Sequence, residues 1–168
     1  MPGDGTLKAL PDRDVGMDPT ADDLAGVVDL FGALTREELR RALSELAFKR
    51  GADLDDVDAR IDDALTSYHL IDVEDGDRTL LVPGPTAFPS LPEGADDLPH
   101  IMDDAGHAVE EADRMQAVET RFRSDAAAAI NDGDQERVED LLDVSYELEV
   151  WGDVDLETAR ERLDSAAE

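Results

Sequence analysis

The feature that most constrains this chain is a change of hydrophobic period within one stretch, Thr20 to Val82. Apolar residues first recur at spacings of three and four, as in amphipathic helices, and then at a spacing of two, as in strands. Leu24, Val27, Val28, Phe31 and Leu34 make the first stripe, with Asp22, Asp23 and Asp29 opposite, so a helix is expected from about Thr20 to Leu34. Thr35 followed by Glu38 is a capping box, in which each side chain satisfies a free backbone N–H of the other. Leu39, Ala42, Leu43, Leu46 and Ala47 form the second apolar face, and Gly51 is its natural stop. A third helix is expected from about Asp53, as N-cap, to Tyr68, with Leu54, Val57, Ile61, Leu65 and Tyr68 on its stripe. Then Ile71 and Val73 alternate, as do Leu80 and Val82. A turn at Gly76-Asp77 pairs Val73 with Leu80 and Ile71 with Val82, whereas one at Asp75-Gly76 would pair Val73 with Arg78. The first register is preferred, because one face must be buried.

A helix pair, a third helix running into a strand, and a tight hairpin resemble a winged helix-turn-helix domain. That resemblance implies a third helix that reads DNA and a hairpin that serves as the wing. It lies in the pattern and not in a diagnostic motif.

Outside this frame, residues 1–19 combine glycine, proline and aspartate and read as a flexible tail, with Met17 an alternative start. The frame occupies residues 20–84. A proline-rich connector follows over 85–99, where proline density bars helix and central strand; Phe88, Leu91 and Leu98 are expected to pin it to the core. The rest, residues 100–168, is expected to be helical. Ile101, Ala105, Val109, Ala112, Met115, Val118, Phe122, Ala126 and Ala129 keep helical spacing, which predicts one long helix from His100 to Asn131, over ~40 Å at ~1.5 Å per residue. Gly133 should stop it and Asp134 cap the next. The segment from Gln135 to Trp151 is helical through Leu142; beyond that, Tyr146, Leu148 and Val150 alternate as a strand would, and helix is favoured because no partner strand is in sight. A last helix should start at the cap Asp155, with Leu156, Ala159 and Leu163 inward. The expected fold is mainly α with a small β-hairpin: a winged-helix-like N-terminal half and a helical C-terminal half with one long helix.

Charge sets the environment. The chain carries 44 acidic and 15 basic residues, a formal charge of −29, yet 41% of it is hydrophobic and falls in helical stripes. Disorder is therefore the poorer reading. A folded protein of molar salt fits better: at about 1 M the Debye length is roughly 3 Å, and surface carboxylates cease to repel over distance. There are no cysteines, which removes disulfides, thiolate nucleophiles and cysteine-ligated zinc. No apolar run approaches the ~18 residues of a membrane span, and no leader pattern precedes the first helix, so a cytoplasmic location is expected. The passages LAGVVDLFGALTREELRRALSELAFKRG (Leu24 to Gly51) and LLDVSYELEVWG (Leu141 to Gly152) resemble a haloarchaeal family of unknown function. This resemblance implies a salt-adapted protein, favours helix over Asp143 to Val150, and brings no activity or site.

The sequence offers candidates for four kinds of site. For nucleic acid, Arg36, Arg40 and Arg41 with Lys49 and Arg50 make the second helix the one locally basic stretch, and Arg78 lies on the hairpin. Against this, the third helix sets Asp53, Asp55, Asp56, Asp58, Asp62 and Asp63 against Arg60, and phosphate contacts need cations. The bland reading is that these arginines pair with carboxylates three and four residues away. For a metal, His100, Asp103, Asp104, His107, Glu110 and Glu111 would share a face of the long helix, but in so acidic a chain any histidine has such neighbours. No metal or cofactor is therefore assigned. For catalysis, carboxylate pairs are uninformative here and no serine elbow, phosphate loop or HExxH occurs, so no enzyme is expected. His69 is expected to cap the third helix. For a partner or a second copy of the chain, the candidate face is Ile101, Val109, Met115 and Phe122. The expected function is a non-enzymatic protein-interaction module on a winged-helix-like frame; the alternative is a DNA-binding transcription regulator. Far-UV circular dichroism should lose its helical signal as KCl falls below a few tenths molar, and a signal that stays flat into dilute buffer would exclude the high-salt reading.

Overall fold

The computed structural model describes residues 18–152 and 156–167. Thr20 opens the first helix, α1 (Ala21–Phe31), with a capping box: its hydroxyl accepts from the Asp23 N–H, and the Asp23 carboxylate accepts from the Thr20 N–H. The helix ends before the expected Leu34, because Gly32 turns the chain at φ 90° and its N–H donates to the Asp29 carbonyl. Leu34 therefore leaves the helical stripe. With Thr35 it forms a short strand, β1 (Leu34–Thr35), that no sequence pattern announced. The second helix, α2 (Arg36–Arg50), follows expectation closely: the Thr35–Glu38 box forms, Gly51 is left-handed, and Leu39, Ala42, Leu43, Leu46 and Ala47 are buried.

The third helix, α3 (Val57–Thr66), is shorter than expected at both ends. Asp53 is not its cap. The Ala52 N–H closes back on the Ala47 carbonyl at the end of α2, and Ala52 and Leu54 reach the core from a loop. Asp56 precedes the helix in a left-handed conformation, with no side-chain cap. At the other end Tyr68 takes φ 65°, which a non-glycine residue adopts at a cost. Its consequence is that Ile61 and Ala64 face one core while Tyr68 enters another.

Strands β2 (Leu70–Asp75) and β3 (Arg78–Pro83) pair Val73 with Leu80 and Ile71 with Val82, the preferred register, around a turn in which Gly76 has φ 65°. The sheet is antiparallel in the order β1-β3-β2, with Leu34 opposite Leu81. Both its faces are covered, not one. Leu70 and Leu81 pack with α1, α2 and α3, whereas Ile71, Val73, Leu80 and Val82 pack with the C-terminal helices. The sheet is thus a wall between two cores.

The connector behaves differently from expectation. Leu98 is buried, but Phe88 and Leu91 are 76% and 48% exposed, so the segment is fixed by other means. Ser90 lies against Gly26 of α1: its N–H donates to the Asp22 carbonyl and its hydroxyl to the Asp23 carboxylate. After a 3-10 turn (Ala95–Asp97) comes one helical turn, α4 (Leu98–Ile101), with Pro99 in its first turn, where no N–H is needed.

The long helix begins at Glu111 and not at His100. The segment before it docks on the α1–β1 corner, with the His107 N–H donating to the Ala33 carbonyl and Gly106, at φ 103°, against the Phe31 carbonyl. What remains, α5 (Glu111–Asp132), has 22 residues, about 33 Å at ~1.5 Å per residue. Gly133 then stops the chain in a left-handed turn, and the Asp134 side chain accepts from the Arg137 N–H, both as expected. Helix α6 (Gln135–Trp151) runs straight through the ambiguous Tyr146–Val150 stretch. The last helix, α7 (Glu157–Ala167), buries Ala159 and Leu163 behind a buried Leu156; its expected cap, Asp155, lies outside the described residues.

Gly26 tests the clamp on α1. A Cβ there would stand 1.8 Å from the Ser90 carbonyl oxygen. In an exposed helix, glycine to alanine would gain about 1 kcal/mol. Here Gly26→Ala should instead lose about 1–3 kcal/mol through overpacking, read as a lower melting temperature at one fixed KCl concentration.

Candidate interaction surfaces

The candidate cations on α2 are engaged by acid from other elements. Arg36 spans Asp58 and Asp62 of α3 at 3.3 and 2.7 Å, Arg40 faces Asp58 at 3.5 Å, and Arg41 meets Asp104 at 3.4 Å. The expected pairing at three and four residues along the helix is not what holds them. Of the four candidate arginines, Arg78 is the one paired locally, with Asp75 at 3.1 Å across the hairpin turn. These pairs are exposed, so each contributes little, about 0–1 kcal/mol. What they fix is the sign of the surface.

That surface is acidic. Asp55, Asp56, Asp58, Asp62 and Asp63 are all exposed. Arg60 does not mask them: its guanidinium donates to the Asp18 carboxylate at 2.6 Å and to the Pro19 and Asp55 carbonyls. Among the described residues the carboxylates of Asp58 and Asp62 meet arginines, and those of Asp55, Asp56 and Asp63 meet no lysine or arginine. The tip of the hairpin is no better placed for an anion, since Asp75 pairs with Arg78 and Glu74 and Asp77 are exposed in the same hairpin.

The other candidates disperse. His100 is exposed on α4, whereas His107 sits in a connecting segment with Nε2 2.9 Å from Glu38. The metal stripe required one continuous helix through both, and that helix does not form. Among the described residues no three histidine, aspartate or glutamate side chains gather as a metal would need. Nor do Ile101, Val109, Met115 and Phe122 make one face. Ile101 is 40% exposed on α4, while Val109 and Met115 are half-buried, the first before α5 and the second against Gly152. Phe122 is fully enclosed, edge-on to Tyr68. The His69 ring does not cap α3; its Nδ1 meets the Ser67 hydroxyl at 2.7 Å, and the His69 backbone N–H closes the helix on the Ala64 carbonyl.

A feature that sequence reasoning missed lies between β2 and α5. A cleft of about 680 Å³ opens there, with Asp72, Val73 and Glu74 on the strand side and Gln116, Thr120 and Arg121 among its residues on the helix side. At its inner end the Tyr68 hydroxyl donates to the Asp125 carboxylate at 2.6 Å. Arg121 stacks over the Tyr68 ring, donates to the Leu65 carbonyl at 2.6 Å and reaches Asp72 at 3.3 Å, while Arg137 of α6 faces Asp125 at 3.4 Å. This network ties α3, β2, α5 and α6 together. It joins residues 65–72 to residues 121–137, at least 49 positions apart in the chain, and the positive φ of Tyr68 aims the ring into it.

Comparison with protein families matches residues 22–168 to a family of unknown function, DUF7109. The chain belongs to that family. No curated protein and no solved structure matches it. Among the described residues of this DUF7109 protein, no helix is long and apolar enough to cross a membrane.

The tyrosine at the centre of the network gives a test within the family. Burial, and then the hydrogen bond to Asp125, push the Tyr68 pKa well above its ordinary value. The unfolded chain deprotonates at about 10. The stabilisation is therefore complete below pH ~10 and is lost as pH climbs from there toward the folded-state value. Tyr68→Phe should cost about 1–3 kcal/mol at neutral pH, as for loss of a hydrogen bond to a charged group. Melting temperatures of this variant above pH 10 should fall less steeply than those of the native protein.

Proposed function

We propose that this protein is a non-enzymatic protein-interaction module of a salt-rich, haloarchaeal-type cytoplasm, built on a winged-helix-like frame. The frame reading is supported by the order α1-β1-α2-α3-β2-β3, three helices running into a tight hairpin. The salt reading is supported by the formal charge of −29 on a chain with two extensive apolar cores. Such a charge is tolerable where the Debye length is about 3 Å and destabilising where it is 10 Å or more.

The observation that carries the interaction reading is the outward face of α3. In a winged helix that reads DNA this helix would enter the groove of a polyanion. Here it offers Asp58, Asp62 and Asp63 to solvent, with Asp55 just before it, and the nearby arginines Arg36 and Arg40 are drawn onto Asp58 and Asp62. Binding a duplex would break these pairs before any phosphate contact formed. A DNA-binding regulator is the second reading. The observation in its favour is that the side chains of Arg36, Arg40, Arg41 and Arg78 all remain partly exposed.

Crosslinking the tagged protein in its native high-salt cytoplasm separates the two. We expect a reproducible protein partner and no discrete DNA peaks. Discrete peaks that vanish in the Arg40→Glu, Arg41→Glu variant would overturn the interaction reading and make the protein a regulator.

A further inference from the structure

We propose that the open edge of β2, walled by α5, takes an extended lysine- or arginine-rich segment of a partner protein as an added strand. The inference rests on the interaction-module reading and names the site and the chemistry of the partner. β2 is an edge strand of the three-stranded sheet. The two-residue turn makes Asp75–Arg78, Val73–Leu80 and Ile71–Val82 the pairs that exchange ladder hydrogen bonds with β3. The N–H and C=O groups of Asp72 and Glu74 therefore point away from the sheet, into the cleft. An exposed edge of this kind is a template for another chain.

The cleft has the dimensions of a strand. Its helical wall runs from Asp113 to Thr120 before Arg121 crosses to Asp72, about 10 Å at ~1.5 Å per residue, the span of a three-residue strand at ~3.3 Å per residue. Val73 supplies an apolar floor, and Gln116 and Thr120 stand opposite as side-chain hydrogen-bond partners. Arg121 closes one end and is already held by Asp72 and the Leu65 carbonyl.

Charge selects the occupant. Glu74 on the strand and Asp113 on the helix are exposed along the cleft, while Asp72 is partly neutralised by Arg121. A second copy of β2 would set Asp72, Glu74 and Asp75 against their own carboxylates, which is unfavourable directly across a strand pair. A cationic segment meets opposite charge on both walls. Its ion pairs weaken in high salt, whereas its backbone hydrogen bonds do not depend on screening, so pairing persists where the protein is folded.

The test is a titration of the full chain, isotopically labelled, at the lowest KCl in which it stays folded. The probe is an acetylated, amidated hexapeptide alternating lysine and valine. Shifts of the Asp72 to Glu74 amides and of the Gln116 side chain are expected. A glutamate–valine peptide and a lysine–valine peptide N-methylated on its inward amides should leave them unmoved. Glu74→Pro removes the outward N–H and leaves the ladder to β3, as proline can on an edge; it should weaken binding about tenfold, against about twofold for Glu74→Gln. Should Glu74→Pro fail to fold, Thr120→Trp, on the exposed wall of α5, fills the cleft and should abolish the shifts. Equal losses for the proline and glutamine variants, or shifts confined to α3, would overturn the edge-pairing inference and leave charge alone. A crosslinked partner retained by both Glu74→Pro and Thr120→Trp would also overturn it, while the module reading stood. Failure to recover any partner removes the module reading, and the titration still decides the cleft.

Discussion

The structure depends on a sheet that is buried on both faces. Antiparallel sheets commonly leave one face in water, and this one does not. Here alternate residues of β2 and β3 enter separate cores, Leu70 and Leu81 on one side and Ile71, Val73, Leu80 and Val82 on the other. The hairpin is therefore not an appendage of the N-terminal helices. It is the element through which those helices and the C-terminal helices share apolar surface. The left-handed Tyr68 belongs to the same constraint: where α3 ends, the chain must cross from one core to the other, and the strained backbone delivers the ring to Phe122 and its hydroxyl to Asp125.

Local signals predicted local structure well. The Thr35–Glu38 box, the Gly51 and Gly133 stops and the Asp134 cap all depend on residues within one helical turn of each other, and all form. The hairpin register followed from apolar pairing alone. Two of the failures share a cause, which is that the decisive contact is remote. Leu34 keeps helical spacing with Phe31, but Leu81 draws it into a strand. Ile101 to Met115 keeps helical spacing too, yet Gly106 and His107 dock on Phe31 and Ala33 and break the run. A signal for the second core was present in Leu80-Leu81-Val82, three apolar residues in succession. A strand with one wet face would have alternated.

The candidate sites were less legible than the fold, again for a physical reason. In a chain with 44 carboxylates, acid near any cation carries almost no information. Which acid is near, however, depends on tertiary structure. Arg36 could have paired along α2; it bridges to α3 instead, and that choice converts a basic helix into part of an acidic surface. The cleft beside β2 could not be inferred, because its walls come from residues 72–74 and 113–125 and meet only after the long helix has folded back over the sheet.

The scarcity of cations gives the surface its character. Thirteen arginines and two lysines serve the whole chain, and many of them join elements instead of decorating one. Arg60 holds the chain before α1, Lys49 and Arg50 hold the connector, and Arg121 links α5 to α3 and β2. Arg160 clamps α7 to α6 through Glu149, the Ser145 hydroxyl and the Ser145 carbonyl, with its guanidinium over Tyr146. A guanidinium suits this work because several carboxylate or carbonyl oxygens can share its planar fork of donors. The outcome is an exterior with unmatched negative charge and cations already bound from within.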